Sequence, residues 1–128
     1  MYLIIRNICS HFKISDCHFE ENISTLLGDD LFLEDTFEVV ELSEITVKQS
    51  NKNSIYAYFS HLKIDGLEIE NNVGVGAKGG GLLIQDALSF ELKNAKFTNL
   101  SSQEGGAIFI SQRQNDDYPY TVIDRMHC

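Results

Sequence analysis

Four kinds of residue in this chain could carry chemistry: a glycine-rich run, four histidines, three cysteines and several acidic clusters. Gly74-Val75-Gly76-Ala77-Lys78-Gly79 has the G-x-G-x-x-G spacing. In nucleotide-binding proteins such glycines let the backbone approach a pyrophosphate at the N-terminus of a helix that follows directly. Here Gly80-Gly81-Leu82-Leu83-Ile84 follows, a strand-like run, so the segment reads as a loop. Lys78 lacks the Gly-Lys-Ser/Thr ending of a P-loop. Gly28-Asp29-Asp30, Glu34-Asp35 and Asn115-Asp116-Asp117 offer oxygens of the kind calcium takes, with solvated loop charge as the plainer reading. Asn22-Ile23-Ser24 and Asn99-Leu100-Ser101 are glycosylation sequons, which point outward from the cell. Neither a cofactor nor a metal ligand is assigned.

Composition narrows the field. A length of 128 residues gives one domain, and 43% hydrophobic residues can fill a core. The net charge of −9 argues against nucleic acid as a partner, because a phosphate backbone needs a concentrated basic face. No apolar run is long enough to cross a bilayer, so direct membrane insertion is not expected. Met1-Tyr2-Leu3-Ile4-Ile5 is too short for the apolar part of a signal peptide and has no basic residue ahead of it. One proline and nine glycines suit long regular strands.

Those strands are set out by an internal repeat. Apolar residues spaced h-x-h-x-x-h-x-h recur as Phe12, Ile14, Cys17, Phe19, then Val40, Leu42, Ile45, Val47, then Leu62, Ile64, Leu67, Ile69, then Phe90, Leu92, Ala95, Phe97. A weaker copy is Thr121, Ile123, Met126, Cys128. The fourth positions are 28, 22, 28 and 31 residues apart. Alternation in each half-motif is strand spacing, and the polar pair in the middle reads as a short turn. A second apolar strand precedes each copy: Tyr2-Leu3-Ile4-Ile5, Leu31-Phe32-Leu33, Ile55-Tyr56-Ala57-Tyr58, Gly81-Leu82-Leu83-Ile84 and Ala107-Ile108-Phe109-Ile110. The expected fold is all-β: a right-handed parallel β-helix of about five coils of 22–31 residues, one segment over residues 1–128. Outward residues support the register, because Lys13, Glu41, Lys63 and Glu91 alternate in sign, as do Glu20, Lys48 and Glu70.

The repeat also sorts the candidates. His11 and His61 fall at one outward position two coils apart with Val39 between them, and His18 and His127 fall at opposite ends of the stack. Neither pair can hold one zinc ion. Cys17 and Cys128 take inward positions and read as small core residues, with a Cys9–Cys17 disulfide left open.

Phe97-Thr98-Asn99-Leu100-Ser101-Ser102-Gln103-Glu104-Gly105-Gly106-Ala107-Ile108 resembles the repeat of polymorphic outer-membrane (Pmp) proteins, which joins an FxxN-type element to GGAI. Phe19-Glu20-Glu21-Asn22 fits the first element, and Ile69-Glu70-Asn71-Asn72 with Gly79-Gly80-Gly81-Leu82 is a looser copy. The resemblance covers two units and implies a surface-exposed β-helix used for adhesion or assembly, with no catalytic residue to carry over. The expectation is a non-catalytic structural or binding module, extracellular or at the cell surface, with a protein or glycan partner. The competing readings are a scaffold subunit of a larger complex and a polysaccharide-active enzyme of the pectin lyase-like fold. For an enzyme of that kind, Gly-His-Gly and Arg-Ile-Lys elements are missing, and Arg6, Arg113 and Arg125 group with none of the acidic loops. Strand residues begin at Tyr2 and core positions run to Cys128, so the piece is expected to belong to a longer solenoid. Further chain or another subunit would then cover the end coils, and the piece expressed alone would associate.

Overall fold

The computed structural model describes residues 3–7, 9–22, 30–112 and 121–128. Ten strands are present among them and no helix: β1 (Leu3–Arg6), β2 (Phe12–Glu20), β3 (Leu31–Lys48), β4 (Ile55–Glu70), β5 (Val73–Lys78), β6 (Leu82–Ala87), β7 (Ser89–Thr98), β8 (Ser101–Glu104), β9 (Ile108–Gln112) and β10 (Thr121–His127). Every pairing is parallel, and the order β1-β3-β4-β6-β9 stacks five layers separated by about four turns of a β-solenoid.

The register follows the repeat. Ile14 lies beside Leu42, Leu42 beside Ile64, Ile64 beside Leu92 and Leu92 beside Ile123. The column Cys17, Ile45, Leu67, Ala95 and Met126 behaves likewise. Alternate residues point inward, so Leu42, Val47, Ile64, Ile69, Leu92 and Phe97 are buried while Lys63, Glu68 and Lys96 stay at the surface. Burying such a side chain contributes roughly 1.5–3 kcal/mol, and the stacked columns form one continuous apolar core.

A strand can close a coil only if it turns sharply, and single residues in the left-handed region make the turns. Positive φ occurs at Asn7, Asp35, Phe59 and Asp86, which follow the first face of successive layers. It recurs at Asp16, Glu44, Gly66, Asn94 and Arg125, the second residue of each polar pair in the repeat. The third set is Glu21, Gln49, Asn71 and Asn99, just past the fourth apolar position. These three columns take in all twelve non-glycine residues of positive φ among the described residues, together with Gly66. A left-handed residue costs roughly 1–2 kcal/mol where a Cβ is present, and least for Asn and Asp. Each corner therefore strains the chain slightly, and the parallel ladder on either side holds it there. Gly66 answers a second demand, since a Cβ there would lie 2.6 Å from Glu44 Oε1.

Extra residues are placed where the ladder tolerates them. Phe37 and Glu38 form an insertion between Thr36 and Val39, and Leu88 is a smaller one after Asp86. The long connections after the third corner carry β5 and β8, which pair as a separate two-stranded sheet.

Leu67 is 2% exposed between Ile45 and Ala95. Leu67→Asp places an unpaired carboxylate there and is expected to remove about 3–5 kcal/mol of stability. Lys63→Gln, on the outward side of the same strand, should cost about 1 kcal/mol or less. Denaturant unfolding of the two variants checks this, and equal losses would contradict the inward and outward assignment.

Candidate functional site

The glycine-rich run is not a loop but strand β5, whose Val73 and Gly74 lie beside Ser101 and Ser102. Its partner β8 lies one turn further on, in the equivalent connection, so loop ladders extend what sequence spacing showed only for the core. The strand β6 follows, so no helix N-terminus faces the glycines and the nucleotide reading has no support.

The histidines separate as the repeat implied. His11 Nε2 lies 3.7 Å from Glu41, and His18 Nε2 lies 3.4 Å from Glu20. His127 belongs to β10, in the last layer. His61 Nδ1 lies 2.8 Å from Ser89 Oγ, a pair of nucleophile and base type that the sequence did not reveal. Ser89 is only 6% exposed, and no carboxylate contacts the imidazole among the described residues. No group of three potential metal ligands exists among the described residues.

Cys17 packs half-buried against the core as expected, whereas Cys128, which follows the exposed strand β10, is itself exposed and not a core residue. All three cysteines are free, so Cys9 and Cys17 are not bridged. Asp29 and residues 115–117 lie outside the described residues.

Asp30 is described, and it corrects the solvated-loop reading. It is fully buried, and its carboxylate accepts hydrogen bonds from Asn22 Nδ2 and Ser50 Oγ, both at 2.5 Å. The chain of bonds continues upward as Ser50 N donates to Asn72 Oδ1 at 2.9 Å and Asn72 Nδ2 donates to Ser54 Oγ. A buried carboxylate is tolerable only when donors replace its water. Asn22 and Asn72 thus face inward and build a polar ladder inside the third corner. The asparagines one position earlier differ: Asn71 and Asn99 stand at the corner itself, exposed, with Asn99 Nδ2 donating to Asn71 Oδ1 at 3.0 Å. Asn22 and Asn99, the asparagines of the two sequons, therefore have unlike settings.

Arg6 and Glu34, expected to be unrelated, are neighbours in register and pair at 2.8 Å, with the guanidinium 5.0 Å from the Phe32 ring. Lys96 bonds Glu68 Oε1 at 2.8 Å, which holds the Glu68 carboxyl below its usual range. Both groups are exposed, and pairs of this kind contribute little beyond register.

One concavity has the makings of a site. Asp35, Tyr58, Phe59 and Asp86 line a groove of ≈ 410 Å³ at the first corner column. Asp35, Phe59 and Asp86 occupy that corner in three successive layers. Layers are about 4.8 Å apart, which sets Asp35 and Asp86 roughly 10 Å from one another with Phe59 between them. Beside it stands Phe37, carried by the insertion in β3 and 51% exposed. Its ring meets that of Phe59 edge-on, with centroids 6.0 Å apart and planes at 80°, and Tyr58 lies 6.4 Å from Phe59. Glu34 is satisfied by Arg6, but no hydrogen bond or ion pair joins the carboxylates of Asp35 and Asp86 to any described residue. Tyr56 packs with Phe32 and Leu83, and burial first, then Glu34, Tyr58 and Asp86, raise its pKa above the usual tyrosine value.

Phe59 is the anomaly of its column. The corner there is Asn or Asp in the other three layers, residues that adopt positive φ at small cost, whereas a phenylalanine at φ 48° is strained by about 1–2 kcal/mol. The corner imposes that strain, and it leaves the Phe59 ring half-exposed beside the groove. The sequence offered one clue: Phe59 ends an apolar strand at the place where its counterparts are Asn7, Asp35 and Asp86.

Comparison with known proteins finds no match, whether to a family model, a curated protein or a solved structure.

Secreted expression in cells that glycosylate should give folded protein carrying glycan at Asn99, whose side chain is exposed and keeps one N–H for Asn71 after modification. Asn22 should be unmodified, because its amide is committed to buried Asp30. Peptide mapping of the folded fraction reads this, and a glycan on Asn22 would contradict its inward placement.

Proposed function

We propose that this chain is a non-catalytic recognition module, a length of β-solenoid that presents a groove to a partner. The observation that carries the reading is the groove at the first corner, where aromatic rings and half-exposed carboxylates with no described partner stand on a ladder-held corner. Aromatic surface of this kind gives contact area at low entropic cost, the usual anchor of a binding surface. The resemblance of Phe97–Ile108 to the Pmp repeat supports the same class of role, adhesion or assembly at a cell surface or outside the cell.

The rival is hydrolysis or elimination on an acidic polysaccharide. Among the described residues, those lining the groove, Asp35, Tyr58, Phe59 and Asp86, include no cation to receive a uronate or to act as the base of a lyase. Incubation with polygalacturonate, with and without calcium, should release neither unsaturated nor reducing ends. Sustained turnover by purified protein would overturn the module reading.

A further inference from the structure

We propose that the groove of Asp35, Tyr58, Phe59 and Asp86, with Phe37 at its side, binds the primary ammonium of a lysine-type side chain on a partner protein. The inference rests on the recognition-module reading and adds the chemistry of the ligand.

Charge selects the occupant. Asp35 and Asp86 are acceptors only, they flank Phe59 from the layers on either side, and no described residue satisfies them. Glu38, next to Phe37 in the same insertion, is exposed and acidic as well. An anionic ligand is repelled, and a neutral apolar one leaves the carboxylates in contact with a surface that offers no donors. A primary ammonium supplies three N–H donors for them, and the rings of Phe37 and Phe59 receive its four-carbon stem. Two rings set near a right angle form the corner in which an alkyl chain is held on two sides. The ring faces add a cation–π attraction.

The strained corner makes the test clean. Asparagine adopts positive φ readily and already occupies this column at Asn7, so Asp35→Asn, Phe59→Asn and Asp86→Asn are compatible with the backbone. Loss of binding in these variants then reports the ligand contact and not loss of fold, which the amide spectrum of each variant verifies.

The experiment is a titration of the isotopically labelled chain with N-acetyl-lysine methylamide, followed through the backbone amides. The expected result is saturable shifts at Asp35, Phe59 and Asp86 with a dissociation constant on the order of 1 mM, weakened by added salt. N-acetyl-norleucine methylamide and the Nε-acetylated lysine probe should bind at least tenfold more weakly, as should lysine to each asparagine variant. Tetramethylammonium should not match lysine, since it has no N–H to donate. Equal binding by norleucine would show an apolar site, equal binding by tetramethylammonium would show a purely aromatic one, and no shifts with lysine would show none. Each of those results overturns the ligand assignment. The recognition-module reading falls separately, to polysaccharide turnover.

Discussion

A parallel sheet that must return on itself every 22 to 31 residues has to bend three times per turn without leaving backbone groups unpaired. One residue in the left-handed region does this at each corner, because it redirects the strand while the residues on either side stay in the ladder. The stacking of these corners is what the rest of the structure depends on. Where Asp16, Glu44, Gly66, Asn94 and Arg125 coincide layer after layer, the flanking apolar positions also coincide, and the core columns follow. A corner one residue out of place would turn every later side chain of that coil to the wrong face. The cost at each corner is small, and it is borne by several kcal/mol of buried apolar surface on the faces it joins.

The same constraint gives the chain its surface chemistry. Corner side chains project where two faces meet, so a column of corners is a column of exposed, closely spaced groups. Short polar residues fill most of these positions, and Asn99 with Asn71 or Asn94 with Asp65 then bond between layers. Where Phe59 replaces the polar residue, the column becomes an aromatic step flanked by Asp35 and Asp86. The insertion carrying Phe37 enlarges that step without disturbing the ladder, which resumes at Val39. The recognition surface proposed for this chain thus draws on positions the fold must already hold still.

Much of the fold was legible in the sequence because the core obeys a period. The h-x-h-x-x-h-x-h spacing gave the register of all five layers, including the weak last one, where Ile123 and Met126 lie beside Leu92 and Ala95. The polar pair in each motif marked a turn, although not that its second residue alone is left-handed. The loops were less legible, because their ladders rest on backbone pairing and not on apolar spacing. Val73–Lys78 shows no alternation that distinguishes a strand from a glycine-rich loop. Asp30 looked like solvated charge because its donors, Asn22 and Ser50, lie 8 and 20 residues away in sequence. The groove escaped notice for the same reason: Asp35, Phe59 and Asp86 converge only once the first corner is known to be a column.

The corner account is tested most directly by exchanging residues between a corner and a face and measuring unfolding free energies. Gln49 stands at a corner with φ 59°, and Thr46, three residues earlier, is in the extended part of β3. At Gln49, glycine should be within about 1 kcal/mol of the parent and valine at least about 1–2 kcal/mol worse than glycine, since a β-branched residue resists positive φ. At Thr46 the order should reverse, with valine tolerated and glycine costing about 1 kcal/mol. If valine were accepted equally well at both sites, position 49 would not be left-handed, and the corner columns would not be what sets the register.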